Sequence, residues 1–303
     1  MRGETIIARK LVSLVCPSCH SPIDRPHCGA PFSVDDGIAE FSGGGYYDSF
    51  TSEDRLTSEH RTGLAAEVAG SRWRIEKFYL PRFAVRGSQL SVLDVGCGNG
   101  VSVDVLREHG TDAWGVDLSA LRKWQWRERT NRDRLAVANA LRLPFEDSSF
   151  DVVVSSGVIE HIGVDEIGGA EYRVTPRADR DRLRQEFVAE LLRVTKPGGR
   201  VFIDAPNGAF PIDFWHGGEG GRARWHSRGE GFLPTFRDIR RLARGAAVRA
   251  ISPYRRFAFK QVGQHWYGRV FSLPASLFFA VMRALPFLAR TALNPYLIVE
   301  IRK

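Results

Sequence analysis

Short apolar runs alternate along most of the chain with longer segments that mix apolar and polar residues, and this alternation predicts strands that alternate with helices. Short runs rich in Val, Ile and Leu predict seven strands, near residues 92–95, 113–118, 135–138, 151–155, 201–207, 247–252 and 296–301. Longer segments with apolar positions three or four apart predict helices, among them 101–109, 183–195 and 236–243. We therefore expect an α/β fold in which the last two strands are antiparallel.

The first of these strands leads directly into a glycine-rich turn. Residues 91–100 read S-V-L-D-V-G-C-G-N-G, with an acid, Asp94, in the strand and glycine at alternate positions after it. Because glycine lacks a Cβ, such a turn lets the backbone bend sharply and approach a ligand closely. The helix that follows directs its amide donors towards that ligand. A nicotinamide-binding fingerprint would need its third glycine at Val101, so the spacing disfavours that class.

Three further segments follow the turn along the chain. They are A-W-G-V-D-L-S at residues 113–119, L-P-F-E-D-S-S-F-D at 143–151 and V-T-K-P-G-G-R-V-F-I at 194–203. Together with the glycine-rich turn they resemble the class I S-adenosylmethionine-dependent methyltransferases, of the type 11 kind, over roughly residues 88–252. The resemblance implies a Rossmann-like seven-stranded sheet, mostly parallel with an antiparallel last strand, and S-adenosyl-L-methionine as the cofactor.

The same resemblance implies a set of cofactor-binding residues. Asp117, at the end of the second strand, would accept two hydrogen bonds from a ribose diol. The family usually has Asp where Asn139 stands, but the Asn139 carbonyl still offers an acceptor for the adenine amino group, and the amide of Ala140 would face the adenine ring. The predicted set is Asp94, Gly96, Cys97, Gly98, Gly100, Asp117, Leu118, Asn139, Ala140 and Ser156.

His161 is the candidate for a catalytic side chain. Methyl transfer in this family is an in-line displacement, which needs alignment of the reacting atoms and exclusion of water more than catalytic groups. His161 follows the central strand, where a general base could meet a substrate hydroxyl. The alternative is that this histidine only packs against its loop or orients it.

Three of the four cysteines lie close together near the start of the chain. Cys16 and Cys19 have the two-residue spacing of a zinc knuckle, and Cys28 precedes a glycine that could turn a second one. The segment resembles the zinc-ribbon modules at the front of some methyltransferases, but the second C-x-x-C is incomplete, so the fourth ligand is His27 or His20, or is absent. We predict a structural zinc site of Cys16, Cys19, Cys28 and His27. The alternative is a ribbon that folds without metal.

The remaining segments suggest a division into domains. Residues 1–42 are predicted to form the zinc-ribbon-like module, 43–87 a helical cap and linker, and 88–303 the methyltransferase-like domain, with a long loop at 163–179. Residues 253–295 form an insertion before the last strand, and its strongly apolar run at 270–289 is broken by two prolines and an arginine. Because ~20 apolar residues are needed to span a bilayer, we expect a hydrophobic lid, an interfacial helix or a buried core helix instead.

Charge is concentrated in one part of the 303-residue chain. The net charge is +8, and between Arg222 and Arg269 twelve basic residues accompany two acidic ones, which gives that segment +10 and leaves −2 for the rest. A basic segment beside an apolar insertion favours an anionic acceptor that is small or linked to a lipid or glycan. The alternative acceptor is RNA, because C-P-x-C-H openings also resemble certain rRNA guanine methyltransferases. A third hypothesis is a cofactor-binding scaffold without enzymatic activity.

Cysteine use and the start of the sequence bear on location. Clustered cysteines are typical of metal sites in reducing compartments, and the first residues lack the basic, apolar and small regions of a signal peptide. We therefore expect a cytoplasmic protein, with peripheral contact to a membrane if the apolar insertion is interfacial.

Overall fold

The computed structural model describes residues 12–23, 28–48, 58–83, 89–167, 172–217, 223–258, 270 and 272–303. Within them lie thirteen strands: β1 (Ser33–Asp35), β2 (Ile38–Glu40), β3 (Ser91–Val95), β4 (Asp112–Asp117), β5 (Leu135–Val137), β6 (Phe150–Ser156), β7 (Val164–Ile167), β8 (Arg173–Pro176), β9 (Thr195–Pro206), β10 (Ile212–Asp213), β11 (Arg224–Trp225), β12 (Ala247–Ile251) and β13 (Tyr296–Arg302). The helices are α1 (Ser58–Arg74), which continues through a π-helical turn (Ile75–Tyr79) into α2 (Leu80–Phe83), α3 (Val101–Glu108), α4 (Ala120–Trp126), α5 (Arg180–Val194), α6 (Phe236–Leu242), α7 (Arg255–Ala258) and α8 (Ser272–Ala284).

Nine of the strands form one sheet, in the order β1-β2-β5-β4-β3-β6-β9-β13-β12. Strands β2, β5, β4, β3, β6 and β9 run parallel, whereas β13 is antiparallel to both β9 and β12. The predicted Rossmann-like fold, mostly parallel with an antiparallel last strand, is therefore confirmed, and all seven predicted strands lie in a sheet that has nine strands rather than seven. Strands β1 and β2 extend this sheet beyond β5. The domain division proposed from sequence stays a prediction.

The direction of the chain across the sheet reverses next to β3. From β3 the chain passes through β4 to β5 on one side, and then places β6 on the other side of β3. In an open α/β sheet, connections that leave neighbouring strands in opposite directions open a crevice at the carboxyl ends of those strands. The glycine-rich turn after β3 and the end of β6 therefore border one crevice.

Apolar side chains cover both faces of the sheet. On one face Phe78, from the π-helical turn, packs in a cluster with Phe279 and Met282 of α8. On the other face Phe187 of α5 and Ile239 of α6 are fully buried. The central strands are covered on both sides, which is why they read as nearly continuous apolar runs.

The predicted loop at 163–179 is wrong in part, because strands β7 and β8 form an antiparallel hairpin there. Val164 lies opposite Pro176 and Ile167 opposite Arg173. Most of the β7 side chains are exposed. Backbone pairing rather than apolar burial therefore holds the hairpin, and the sequence carries little of the periodic burial signal that predicts a strand.

The apolar run at 270–289 forms α8 and a following 3-10 turn (Pro286–Arg290). Phe279 and Met282 are fully buried, whereas Leu273 and Leu277 are 78% and 66% exposed. The helix therefore contributes to the core along one face and presents apolar side chains to solvent along the other. Among the described residues, no helix combines the length and the apolarity that crossing a membrane requires.

Candidate functional site

The glycine-rich turn joins β3 to α3 through a backbone that favours glycine. Gly96, Gly98 and Gly100 have φ angles of 78°, 53° and 77°. A Cβ on Gly96 would lie 2.2 Å from Cγ2 of Val158, and one on Gly100 would lie 2.8 Å from Cδ1 of Leu135. The glycines therefore allow the segment after β6 and the start of β5 to pack directly against the turn.

Asp94 is a buried acid beside this turn. Its side chain is 6% exposed and accepts a hydrogen bond from the hydroxyl of Ser102. Burial raises the pKa of Asp94 to about 6, although the hydrogen bond from Ser102 and the charge of Arg74 act in the opposite direction. The protonation of Asp94 is therefore sensitive to pH near neutrality.

Asp117 ends β4 on the other side of the turn. Its Oδ2 accepts from Gly98 N at 2.9 Å and its Oδ1 from Leu118 N at 2.8 Å, while burial raises its pKa above the ordinary value. These backbone donors fix the orientation of the carboxylate. Each oxygen keeps a second lone pair, so the group can still accept hydrogen bonds from two hydroxyls.

The turn after β5 holds the residues predicted to contact adenine. Asn139 Oδ1 accepts from Leu141 N at 2.9 Å, which closes a local turn and fixes the amide plane. Ala140 lies between Asn139 and Leu141 and lines the same cleft as Asp94 and Asp117. The carbonyl of Asn139 keeps one lone pair for a ligand.

Arg74, at the end of α1, was not predicted from sequence as a site residue, although it lines the same cleft as Asp94 and Asp117. Its Nη1 donates to the hydroxyl of Ser156, which in turn donates to Asp204 Oδ1 at 2.5 Å. The fully buried Asp204 also accepts from the hydroxyls of Tyr79 and Tyr296. Burial lowers the pKa of Arg74, but the charge of Asp204 and smaller contributions from Tyr296, Tyr79 and Asp94 together outweigh burial and raise the pKa above its ordinary value, so the guanidinium stays charged. The network holds one fixed cation beside the crevice.

These groups line one cleft of about 1020 Å³. It is bordered by all the predicted cofactor residues except Gly100, which faces Leu135 and Trp126: Asp94, Gly96, Cys97, Gly98, Asp117, Leu118, Asn139, Ala140 and Ser156. Among its lining groups are the guanidinium of Arg74, the carboxyl groups of Asp94 and Asp117, the amide of Asn139 and the glycine-rich turn. Those donors and acceptors fit the carboxylate, ammonium, ribose diol and adenine of S-adenosylmethionine. Their role in binding it stays a prediction.

His161 borders the cleft at the side of the β7–β8 hairpin. Its Nδ1 lies 2.6 Å from Oε1 of Glu166. Burial lowers the pKa of His161, but the hydrogen bond with Glu166 and the charge of Glu160 outweigh it and raise the pKa above the ordinary value. Because Nδ1 is engaged, only Nε2 is free to act as the predicted general base, and that role stays a prediction.

The three N-terminal cysteines come together in space. Sγ of Cys16 lies 3.4 Å from Sγ of Cys28, and a ligand atom of Cys19 lies within 4.8 Å of both. Three thiols at this separation fit the donor set of a zinc site. The fourth predicted ligand, His27, lies outside the described residues.

A second cleft, of about 990 Å³, opens beside α5 and α6. Its lining is strongly basic, with Arg180, Arg184, Arg228, Arg237, Arg240, Arg241, Arg244 and Arg290. Helix α5 separates the two clefts, since Leu183 borders the first and Arg184 the second. The positive charge of this lining favours the binding of anions.

Comparison with known proteins agrees with the fold. Residues 93–203 match a family model described as a methyltransferase domain. A protein of Mycolicibacterium smegmatis named as a probable S-adenosylmethionine-dependent methyltransferase is 32% identical over 153 residues, which cover 50% of this chain and 51% of the relative. The 2-methyl-6-phytyl-1,4-hydroquinone methyltransferase of Synechocystis sp. is 32% identical over 133 residues, or 41% of this chain and 36% of the relative.

One solved structure is similar at a lower level of sequence identity. Phosphoethanolamine N-methyltransferase 2 of Haemonchus contortus, in complex with S-adenosyl-L-methionine, is 20% identical and covers 84% of this chain and 60% of its own, with a TM-score of 0.43. The chain spans about half the length of the first curated relatives it matches. Residues 93–203 thus match a methyltransferase domain, and about half of the chain is similar in sequence to S-adenosylmethionine-dependent methyltransferases.

Proposed function

We propose that the protein is an S-adenosylmethionine-dependent methyltransferase whose cofactor binds in the 1020 Å³ cleft. The observation that carries this proposal is the convergence of one fixed guanidinium, Arg74, and two carboxyl groups, Asp94 and Asp117, on a turn of positive-φ glycines. The methyltransferase domain at 93–203 supports it, because it contains the turn and both acids.

Each group of the cleft suits one part of the cofactor. The guanidinium of Arg74 can donate to the methionine carboxylate, and ionised Asp94 can accept from the ammonium. Asp117 can accept from the ribose hydroxyls, while Asn139 and Ala140 offer an acceptor and a donor to adenine. When bound, S-adenosylmethionine supplies an electrophilic methyl group on its sulfonium. The side chains of the cleft then orient the reactants and exclude water.

We further propose an anionic acceptor, either small or linked to a lipid or glycan. The arginine-lined second cleft supports this, because Arg237, Arg240, Arg241 and Arg244 make no ion pair with any residue in the described ranges. The Synechocystis relative is named for an acceptor that carries a phytyl tail. An apolar surface near a basic cleft would suit an acceptor with an anionic head and an apolar tail.

Peripheral contact with a membrane belongs to the same proposal. Leu273 and Leu277 of α8 are 78% and 66% exposed, and Phe287 in the following turn is 54% exposed. Apolar side chains accompanied by arginine are typical of helices that lie in the membrane interface.

We expect the protein to sediment with anionic phospholipid vesicles, and the double variant Leu273→Asp/Leu277→Asp to sediment less. The matched control is Ile167→Asp, an exposed apolar residue on β7. Equal sedimentation of both variants would refute the contact.

The acceptor class is tested with methyl-labelled S-adenosylmethionine, the purified full chain and a fractionated lysate. We expect label in the lipid or small-molecule fraction, and none with Asp117→Ala, whereas the exposed Asp133→Ala serves as the control. Label in RNA would support the alternative acceptor instead. Binding of S-adenosylmethionine without transfer to any fraction would favour the scaffold hypothesis.

A structural zinc ion is the remaining part of the proposal. Cys16, Cys19 and Cys28 would supply three thiolates, and His27 is the predicted fourth ligand. A closed set of four protein ligands leaves no position for a substrate, so this zinc would stabilise the N-terminal segment.

A further inference from the structure

Glu160, His161 and His216 form a second cluster of metal-ligating side chains, separate from the cysteines. One ligand atom from each of the three residues lies within 4.8 Å of the other two. Glu160 and His161 follow the end of β6, whereas His216 follows β10, so the fold brings together two distant parts of the chain. A carboxylate and two imidazoles are a donor set that first-row divalent cations accept readily.

Glu160 supplies an independent sign that this cluster has a ligand. Its side chain is 1% exposed, and its Oε2 has no hydrogen-bond partner among the residues that the structure describes. A buried carboxyl oxygen without a partner is unfavourable, and native proteins rarely leave one. A cation held by Glu160 and its two histidine neighbours would satisfy this oxygen.

Both histidines are oriented by other carboxylates. Nδ1 of His161 lies 2.6 Å from Glu166 Oε1, and Nδ1 of His216 lies 3.0 Å from Asp213 Oδ2. Asp213 is itself fully buried and accepts from the backbone N–H groups of Trp215 and His216 at 2.9 and 3.2 Å. In metal sites, histidine ligands commonly contact a carboxylate with the nitrogen that does not bind the metal. The nitrogen left for a cation is therefore Nε2 of each ring.

We propose that Glu160, His161 and His216 bind one first-row divalent metal ion through a carboxylate oxygen and two Nε2 atoms. Ligand atoms about 2.0–2.2 Å from one ion lie at most about 4.4 Å apart, so only a small side-chain movement separates the present arrangement from a coordinated one. Two histidines and one carboxylate leave further coordination positions open.

The position of the cluster indicates what those open positions would hold. His161 and Glu166 border the 1020 Å³ cleft, and the ring of Phe232 packs on His216 with centroids 4.8 Å apart. The ion would therefore lie at the wall of the cleft, with an apolar ring on one side. Resting on the proposed function, we infer that it binds an oxygen of the anionic acceptor, which would make His161 a metal ligand rather than a general base.

Manganese is the probe that separates this cluster from the cysteines, because soft thiolates select zinc whereas carboxylate sites accept Mn²⁺. Electron paramagnetic resonance of the metal-stripped full chain measures bound Mn²⁺ directly. We expect one equivalent in the wild type and in Cys16→Ser, and loss of that equivalent in both Glu160→Gln and His216→Gln. His109→Gln, which changes a histidine at the end of α3, is the matched control and should bind normally. Undiminished Mn²⁺ binding by Glu160→Gln, or none by the wild type, would overturn the proposal.

Two further measurements keep the result interpretable. Circular dichroism and S-adenosylmethionine binding report whether each variant has folded, and Asp213→Asn should weaken Mn²⁺ binding by about 10- to 100-fold by releasing the ring of His216. Mn²⁺ binding without methyl transfer to any acceptor would leave the metal site standing and remove the proposed function. Methyl transfer by a chain that binds no Mn²⁺ would support the proposed function and overturn the metal site.

Discussion

Acidification is expected to weaken S-adenosylmethionine binding through one carboxyl group, that of Asp94. Burial raises the pKa of this group from the ordinary 3.8 to about 6. Only the ionised form attracts the ammonium of the cofactor, so protonation of Asp94 below pH 6 removes that attraction.

The size of the effect follows from the ionised fraction. With a pKa of about 6, roughly 97% of Asp94 is ionised at pH 7.5 and roughly 9% at pH 5, so the affinity falls about tenfold, or ~1.4 kcal/mol. The effect on folding has the opposite sign. Because the pKa is higher in the folded state, ionisation of Asp94 opposes folding by about 3 kcal/mol at pH 7.5, and this destabilisation disappears as the pH falls below about 4.

Calorimetric titration of S-adenosylmethionine at pH 5.0 to 7.5 measures the first effect. We expect the wild type to lose about tenfold in affinity at pH 5, and Asp94→Asn to bind weakly with no such dependence on pH. Urea denaturation measures the effect on folding. The free energy of unfolding of Asp94→Asn should exceed that of the wild type, and this difference should be larger at pH 7.5 than at pH 4.5. The exposed Asp133→Asn is the control. An equal loss of affinity in the wild type and in Asp94→Asn would refute the assignment of this carboxyl group.

Three further outcomes are expected. Gly96→Ala should destabilise the protein by about 2–4 kcal/mol in urea denaturation and abolish cofactor binding, whereas Gly110→Ala, at a similar positive φ with open space around it, should cost about 1 kcal/mol and leave binding intact. Arg74→Met should weaken S-adenosylmethionine binding about 100-fold but leave the binding of methylthioadenosine, which lacks the carboxylate, nearly unchanged, and Arg72→Met should alter neither. Cys16→Ser should lower the zinc content measured by mass spectrometry, and a chelator should lower the melting temperature of the wild type but not of this variant.

Most of the fold was predictable because its strongest signals are local. The strand at 151–155 and the helix at 183–195 correspond to β6 and α5, since an apolar run buried on both faces and an amphipathic repeat are both visible in the sequence itself. The glycine-rich turn was also predictable from the sequence, because a positive φ and a close contact leave few alternatives to glycine. The mostly parallel sheet and its antiparallel last strand were implied by the family resemblance and not by any single segment, and the order of the strands was not predicted.

The parts of the site that sequence reasoning missed depend on contacts between distant segments. Arg74 stands in an ordinary helical segment, and only the packing of α1 against the sheet brings it to Ser156 and Asp204. His216 lies outside the four segments that carry the family resemblance, and only the folded chain brings it to Glu160. A single sequence shows which residues could act, whereas their convergence is a property of tertiary structure.

The most direct test of the central claim is equilibrium binding of S-adenosylmethionine to the full chain by calorimetry, with Asp117→Asn beside the wild type. We expect one site per chain in the wild type and a loss of affinity of at least about tenfold in Asp117→Asn, because Asn keeps the shape of the side chain but offers only one acceptor oxygen to the ribose. Absence of binding by the wild type, or unchanged affinity in the variant, would contradict the assignment of the cleft.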